Sequence, residues 1–297
     1  MITNAPTSKS HINNKVFYSY YMRKTLKGKK FCSPKTKTNN KINTCYSRKQ
    51  LLQMTKKWNK KNKKKINLKS KKKKVVWQQL NNKLGKTCNT EWCWNKQLLN
   101  IPGIFRPDMP AKWKKNPREW LDSNNIINVM KQYENDRDDF TFIGPVPIDF
   151  DLKNKNGMCV VDDLCSIEIK TLDKINKTKI GIIFNLDKHD EPGSHWTALF
   201  VDTDRKGIFY FDSYGYPPEN EIVELMDKLQ HQYKQLGINM KKHINNIRHQ
   251  YKFSECGMYC INFIIKMLTT KTTFSRFCKK IIDDDTMLSY RKKYFLV

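Results

Sequence analysis

Charge is spread along this chain so unevenly that the sequence reads as two parts with two jobs. Residues 1–115 carry 31 of the 57 lysines and arginines but only two of the 28 acids, Glu91 and Asp108. The other 182 residues balance 26 bases against 26 acids, so the whole net charge of +29 sits at the N-terminal end. Blocks of like charge stay solvated and mark interaction segments. The balanced remainder is long enough to bury a sizeable core.

No run approaches 18 apolar residues, so no membrane span is expected. The N-terminal Met1-Ile2-Thr3-Asn4-Ala5-Pro6 lacks the apolar centre of a secretory signal. Nine cysteines, an odd number, then favour a reducing compartment with thiols that are structural, catalytic or metal-bound rather than paired.

Residues 1–44 read as a basic, flexible tail. Residues 45–100 read as a basic helical unit. Ser47 can cap a helix carrying Leu51, Leu52, Met54 and Trp58. A Lys-rich stretch follows from Lys60 to Lys74, and then a helix carrying Val75, Val76, Trp77, Leu80 and Leu84 is stopped by Gly85. Helix, basic loop and helix resemble SAP-type DNA-binding modules in pattern. The unit can hold nucleic acid through its phosphates, or it can be a solubilising or targeting segment. Cys32, Cys45, Cys88 and Cys93 fit no tight zinc knuckle, so buried structural thiols are expected over a metal site. Pro102, Pro107, Pro110 and Pro117 mark residues 101–117 as a linker.

Residues 118–297 read as an α+β domain. Asp122 or Ser123 can cap a helix through Ile126, Val129, Met130 and Tyr133. Phe142 to Phe150 is extended and broken by prolines, and Cys159 to Ile169 shows no clear period. Ile180–Phe184, His195–Asp202 and Ile208–Asp212 read as strands, the last two joined by the turn Thr203–Gly207. Pro217 and Pro218 start a helix through Leu225 and Leu229. Another begins at Cys256, with Tyr259, Cys260, Phe263, Ile264 and Met267 along one stripe.

A histidine, a carboxylate, an amide and a cysteine arrive in that order between Gly193 and Phe263. A thiol attacks only as thiolate, and a neighbouring histidine and a helix N-terminus both favour that form. Cys256 opens a helix, and His195 and Asp212 lie at matching ends of a predicted hairpin, where Asp212 would orient the imidazole. Gln250 can offer a side-chain N–H to a developing oxyanion beside the Cys256 backbone N–H. Cys260, one turn further on, reads as core.

The set His195-Trp196, Phe211-Asp212-Ser213, Gln250 and Glu255-Cys256-Gly257 resembles the ubiquitin-like-protein (deSUMOylating) proteases and adenain, the adenovirus maturation protease. Trp120-Leu121-Asp122 resembles the motif that opens the domain in the deSUMOylating branch. With the Lys-rich region, the whole most resembles the polyprotein-processing proteases of large nucleocytoplasmic DNA viruses, of mimivirus and African swine fever virus type. The resemblance covers Trp120 to Leu268.

That resemblance implies a papain-like, adenain-type fold with a central mixed sheet between helices, and a cysteine endopeptidase that needs no cofactor or metal. It implies cleavage of capsid or core precursors after Gly-Gly-type sites during virion maturation, in the virion core and the host cytoplasm or virus factory. Trp196 and Trp120 would wall a narrow substrate channel, or belong to the core. Nucleic acid would be a partner of residues 1–115. The competing expectations are a SUMO-type isopeptidase and a basic nucleic-acid-binding protein whose protease-like domain is inactive.

Overall fold

The structure is a computed structural model and describes residues 31–36, 44–85 and 87–296. Residues 1–30 and 37–43 of the expected tail lie outside the described residues, whereas Cys32, Ser33 and Thr44, within it, are buried. The chain forms two compact units that divide between Phe105 and Arg106, inside the stretch read as a linker. Both sides of that division are docked. Ile104 and Phe105 are buried in the first unit and Trp113 in the second. Leu296 N donates to Pro107 O, and Met109 N to Leu296 O, each at 2.8 Å.

The first unit holds helices α1 (Arg48–Lys61), α2 (Lys73–Leu84) and α3 (Glu91–Trp94). Ser47 caps α1 in a reciprocal capping box with Gln50. Leu51 and Met54 of α1 meet Val76, Trp77, Leu80 and Leu84 of α2 in a core closed by Tyr46, Trp94 and Phe105. Disulfides join Cys32 to Cys45 and Cys88 to Cys93 here, and Cys159 to Cys165 in the second unit. This corrects the expectation of unpaired thiols for these six cysteines and removes the ground for expecting a reducing compartment, while Cys256, Cys260 and Cys278 are free. The Cα atoms of the pairs lie 5.2, 5.6 and 6.3 Å apart, within bridging range. Such proximity is a property of the folded chain, which residue spacing does not reveal.

In the second unit α4 (Ser123–Glu134) precedes β1 (Phe140–Pro147), followed by the short helices α5 (Asp162–Cys165) and α6 (Ile169–Lys174). Strands β2 (Lys179–Asn185), β3 (Trp196–Asp202) and β4 (Gly207–Phe211) come next, then α7 (Asn220–Gln235) and β5 (Lys241–Ile244). Helices α8 (Cys256–Thr269), α9 (Phe274–Lys279), α10 (Asp284–Ser289) and α11 (Arg291–Tyr294) finish it. The sheet runs β1-β2-β3-β4-β5. Its outer pairs are parallel and its two inner pairs antiparallel.

Side chains alternate between the faces of a strand, and here both faces are apolar. Trp196, Ala198 and Phe200 join one core with α4 and α8, while Leu199 and Val201 join a second with α7. Gly181 lets α8 lie close, because a Cβ there would stand 3.0 Å from Ile264 Cγ2 and from the Phe140 ring. The α+β expectation, a mixed sheet between helices, is the observed fold. β1 is an edge strand, where Pro145 and Pro147 are tolerated.

Candidate active site

The β3–β4 hairpin carries two of the sequence-predicted residues to one place. Its last paired residues are Ala198 and Phe211. His195 stands just before β3 and Asp212 just after β4, and His195 Nε2 lies 3.0 Å from Asp212 Oδ1. The Asp212 side chain is almost wholly buried and also accepts Tyr214 N at 2.6 Å. Asn245 donates to the Asp212 carbonyl at 2.8 Å, which fixes the turn. The Tyr214 ring stacks on the imidazole with centroids 4.9 Å apart.

Cys256 is the first residue of α8 and is buried. Its thiol is near enough to act on the protonation of His195, so one imidazole is under the influence of the thiol and bonded to the carboxylate. The opening amides of a helix have no partner within it and point outward with the positive dipole end. Burial works against a charge on His195, but the hydrogen bond to Asp212 and the neighbouring Cys256 outweigh it. The imidazole is lifted to about 9.

Gln250 is fully buried, and its neighbours set the direction of its amide. Ser213 Oγ donates to Gln250 Oε1 at 2.6 Å, which fixes Nε2 as the donor end of the amide. Nε2 donates to Lys252 O and makes a long contact of 3.4 Å to the Tyr214 hydroxyl. The backbone amides of His249 and Gln250 both bond to Ser213 O at 2.8 Å, tying this loop to the turn after β4.

The tryptophans separate. Trp196 is 7 % exposed, sits in the core and donates to Leu121 O at 3.2 Å. It lies over Gly257, where a Cβ would come within 3.2 Å of both Trp196 and Leu121. Trp120, beside Leu121, is 42 % exposed and is not core. Cys260 is fully buried as expected, with its thiol donating to Trp196 O.

Several supports of the site are not apparent from the sequence. Ser213 and Tyr214 follow Asp212 directly, so their adjacency to the acid was the available signal. Glu255 and Arg291 form a buried pair, at 3.1 Å, just ahead of the thiol. Arg291 also donates to Glu119 O, and its guanidinium lies over the Trp113 ring. Asp284 accepts Tyr251 N and Lys252 N, holding the loop before Cys256. Arg291 and Asp284 are too distant in sequence from Cys256 for spacing to find them.

Fold and site together define a class, the cysteine proteases. Residues 166–296 match the Ulp1 protease family, C-terminal catalytic domain. Over 292 residues the chain is 31% identical to a putative thiol protease of Acanthamoeba polyphaga mimivirus, covering 89% of this chain and 92% of that one. A cysteine protease of African swine fever virus is 32% identical over 120 residues, 39% of this chain and 44% of that protein. The crystal structure of an African swine fever virus protease superposes with a TM-score of 0.61 at 21% identity, covering 90% of this chain and 96% of that chain. The chain belongs to the Ulp1 protease family, in company with these viral thiol proteases.

Proposed function

We propose that the protein is a viral cysteine endopeptidase that cleaves structural or core polyprotein precursors after Gly-Gly-type sites during virion maturation. It would act in the virion core and in the host cytoplasm or virus factory. The observation that carries the mechanism is a single imidazole that bonds a buried carboxylate and neighbours the thiol that opens α8. Cys256, as thiolate, attacks the scissile carbonyl carbon, and the oxyanion is met by the Cys256 N–H and by Gln250 Nε2. The protonated His195 gives its proton to the departing amine as the C–N bond breaks and a thioester remains. His195 then takes a proton from water, whose oxygen attacks the thioester and releases the carboxylate product and the thiolate. Asp212 keeps the ring oriented throughout.

The relatives' descriptions as viral thiol and cysteine proteases support the setting. Trp120, exposed beside the Leu121 that touches Gly257, supports an apolar wall against bulky side chains. Some African swine fever virus relatives are described as SUMO-1 cysteine proteases, which keeps a ubiquitin-like isopeptidase as the second reading.

The test compares a Gly-Gly-Ala peptide with a SUMO fusion, using wild type and Cys256→Ala. Turnover of the peptide that the variant lacks supports the endopeptidase. Turnover of the fusion alone puts the isopeptidase first. No turnover of either, with Cys256 unlabelled by thiol-reactive probes, sinks the catalytic assignment.

A further inference from the structure

The first unit has one acid with which to neutralise its lysines. Residues 1–105 contain a single carboxylate, Glu91. It is turned inward, accepting Cys45 N at 2.9 Å and Trp77 Nε1, and is 8 % exposed. Eleven of the twelve lysines from Lys56 to Lys74 are exposed. The surface is cationic with no carboxylate to offset it, which calls for a polyanion from outside.

The segment joining α1 to α2 is pinned. Asn59 accepts Ile66 N at 2.7 Å and donates to Ile66 O at 3.0 Å, while Trp58 Nε1 donates to Lys64 O at 3.1 Å. Ile66 itself is buried in the core. The backbone bearing Lys63, Lys64, Lys69, Lys71, Lys72 and Lys74 is therefore ordered before any partner arrives, which lowers the cost of binding. Lys72 to Lys74 also crowd the first turn of α2, which holds no acid, at the helix end where cations are unfavourable. An approaching anion relieves that repulsion.

We propose that this pinned basic loop, 62–74, is a nucleic-acid interface that grips the phosphate backbone without reading base sequence. A membrane surface fits less well. Binding one calls for apolar side chains to insert, and Phe31 is the single exposed large hydrophobic residue among those described in this unit.

The test is binding of a short labelled DNA duplex to the full chain across a salt series. Each neutralised phosphate contributes about −0.9 to the slope of log affinity against log salt. Substituting Lys63, Lys64, Lys69, Lys71, Lys72 and Lys74 with Gln should shrink the slope by about 5 and weaken binding at least about 100-fold at low salt. Circular dichroism melting checks that this variant is folded. Lys153, Lys155, Lys170 and Lys174 substituted with Gln, in the second unit, should leave binding unchanged. Cys256→Ala should bind as wild type, so this result stands apart from the peptidase result.

An unchanged slope in the six-site variant overturns the proposal. So does loss of binding only when Lys9, Lys15, Lys24, Lys27, Lys29 and Lys30 are substituted, which would move the grip to the tail. Binding to phosphatidylserine vesicles but not to DNA overturns it as well.

Discussion

His195 sets how the site responds to pH. Its folded pKa of about 9 lies above the ordinary 6.5, so the folded chain holds the imidazole proton more tightly than the unfolded chain does. The stability gained from its partners is complete below pH 6.5 and is lost as pH rises through about 9. Peptidase activity is expected to fall along that alkaline limb, and Asp212→Asn to move the limb to lower pH. A pH–rate profile of both proteins reads this, and an unmoved limb would detach Asp212 from the titration. Gln250 makes a second prediction. Gln250→Ala should lower kcat about 10²- to 10³-fold with KM little changed, as expected for an oxyanion donor. Ser213→Ala frees the Gln250 amide to turn and should lower kcat by less. Steady-state kinetics distinguish the two.

The start of α8 is where separate elements converge. Burial raises the Glu255 carboxyl, and the Arg291 charge and the Ser254 hydroxyl pull it back. Arg291→Met would strand a carboxylate that is fully buried, at a cost of about 3–5 kcal/mol. Thermal melting should show the loss, and Glu255→Gln in the same chain should recover most of it. Gly257→Ala places a methyl within 3.2 Å of Leu121 and Trp196, and overpacking of this kind costs about 1–3 kcal/mol. Because the strain falls beside Cys256, activity should drop further than stability, which paired melting and turnover measurements check.

The elements that the sequence disclosed are those whose burial follows a period. β3 alternates between two apolar cores, α8 carries an apolar stripe, and Ser47 announces α1. Three catalytic candidates were legible because they border such elements, His195 just before β3, Asp212 just after β4 and Cys256 at the start of α8, while Gln250 lies in the loop ahead of α8. β5 was not legible, since Lys241–Ile244 is exposed throughout and its pairing with β4 is made by the backbone. Nor were the disulfides or Arg291, which depend on contacts between segments far apart or on how a loop turns back.

At the scale of the whole molecule, the two units differ in what holds them. The second has a five-stranded sheet with a core on each face. The first has a smaller core stapled by two disulfides. Closing a loop of the size between Cys32 and Cys45 stabilises by about 3 kcal/mol. A reducing agent should therefore lower the melting of the first unit well before that of the second, and calorimetry with and without reductant should resolve two transitions that separate.

The inward turn of Glu91 has a further consequence. With one carboxylate, Glu91, whose pKa burial raises toward mild acid, and one histidine, His11, the first unit, residues 1–105, has only two side chains whose charge can change as the pH falls, against the charge of its many lysines. Its positive field is then nearly constant as the surroundings acidify, while the second unit, with its many acids, gains positive charge. Acidification would leave such a grip closed, and a rise in ionic strength would open it.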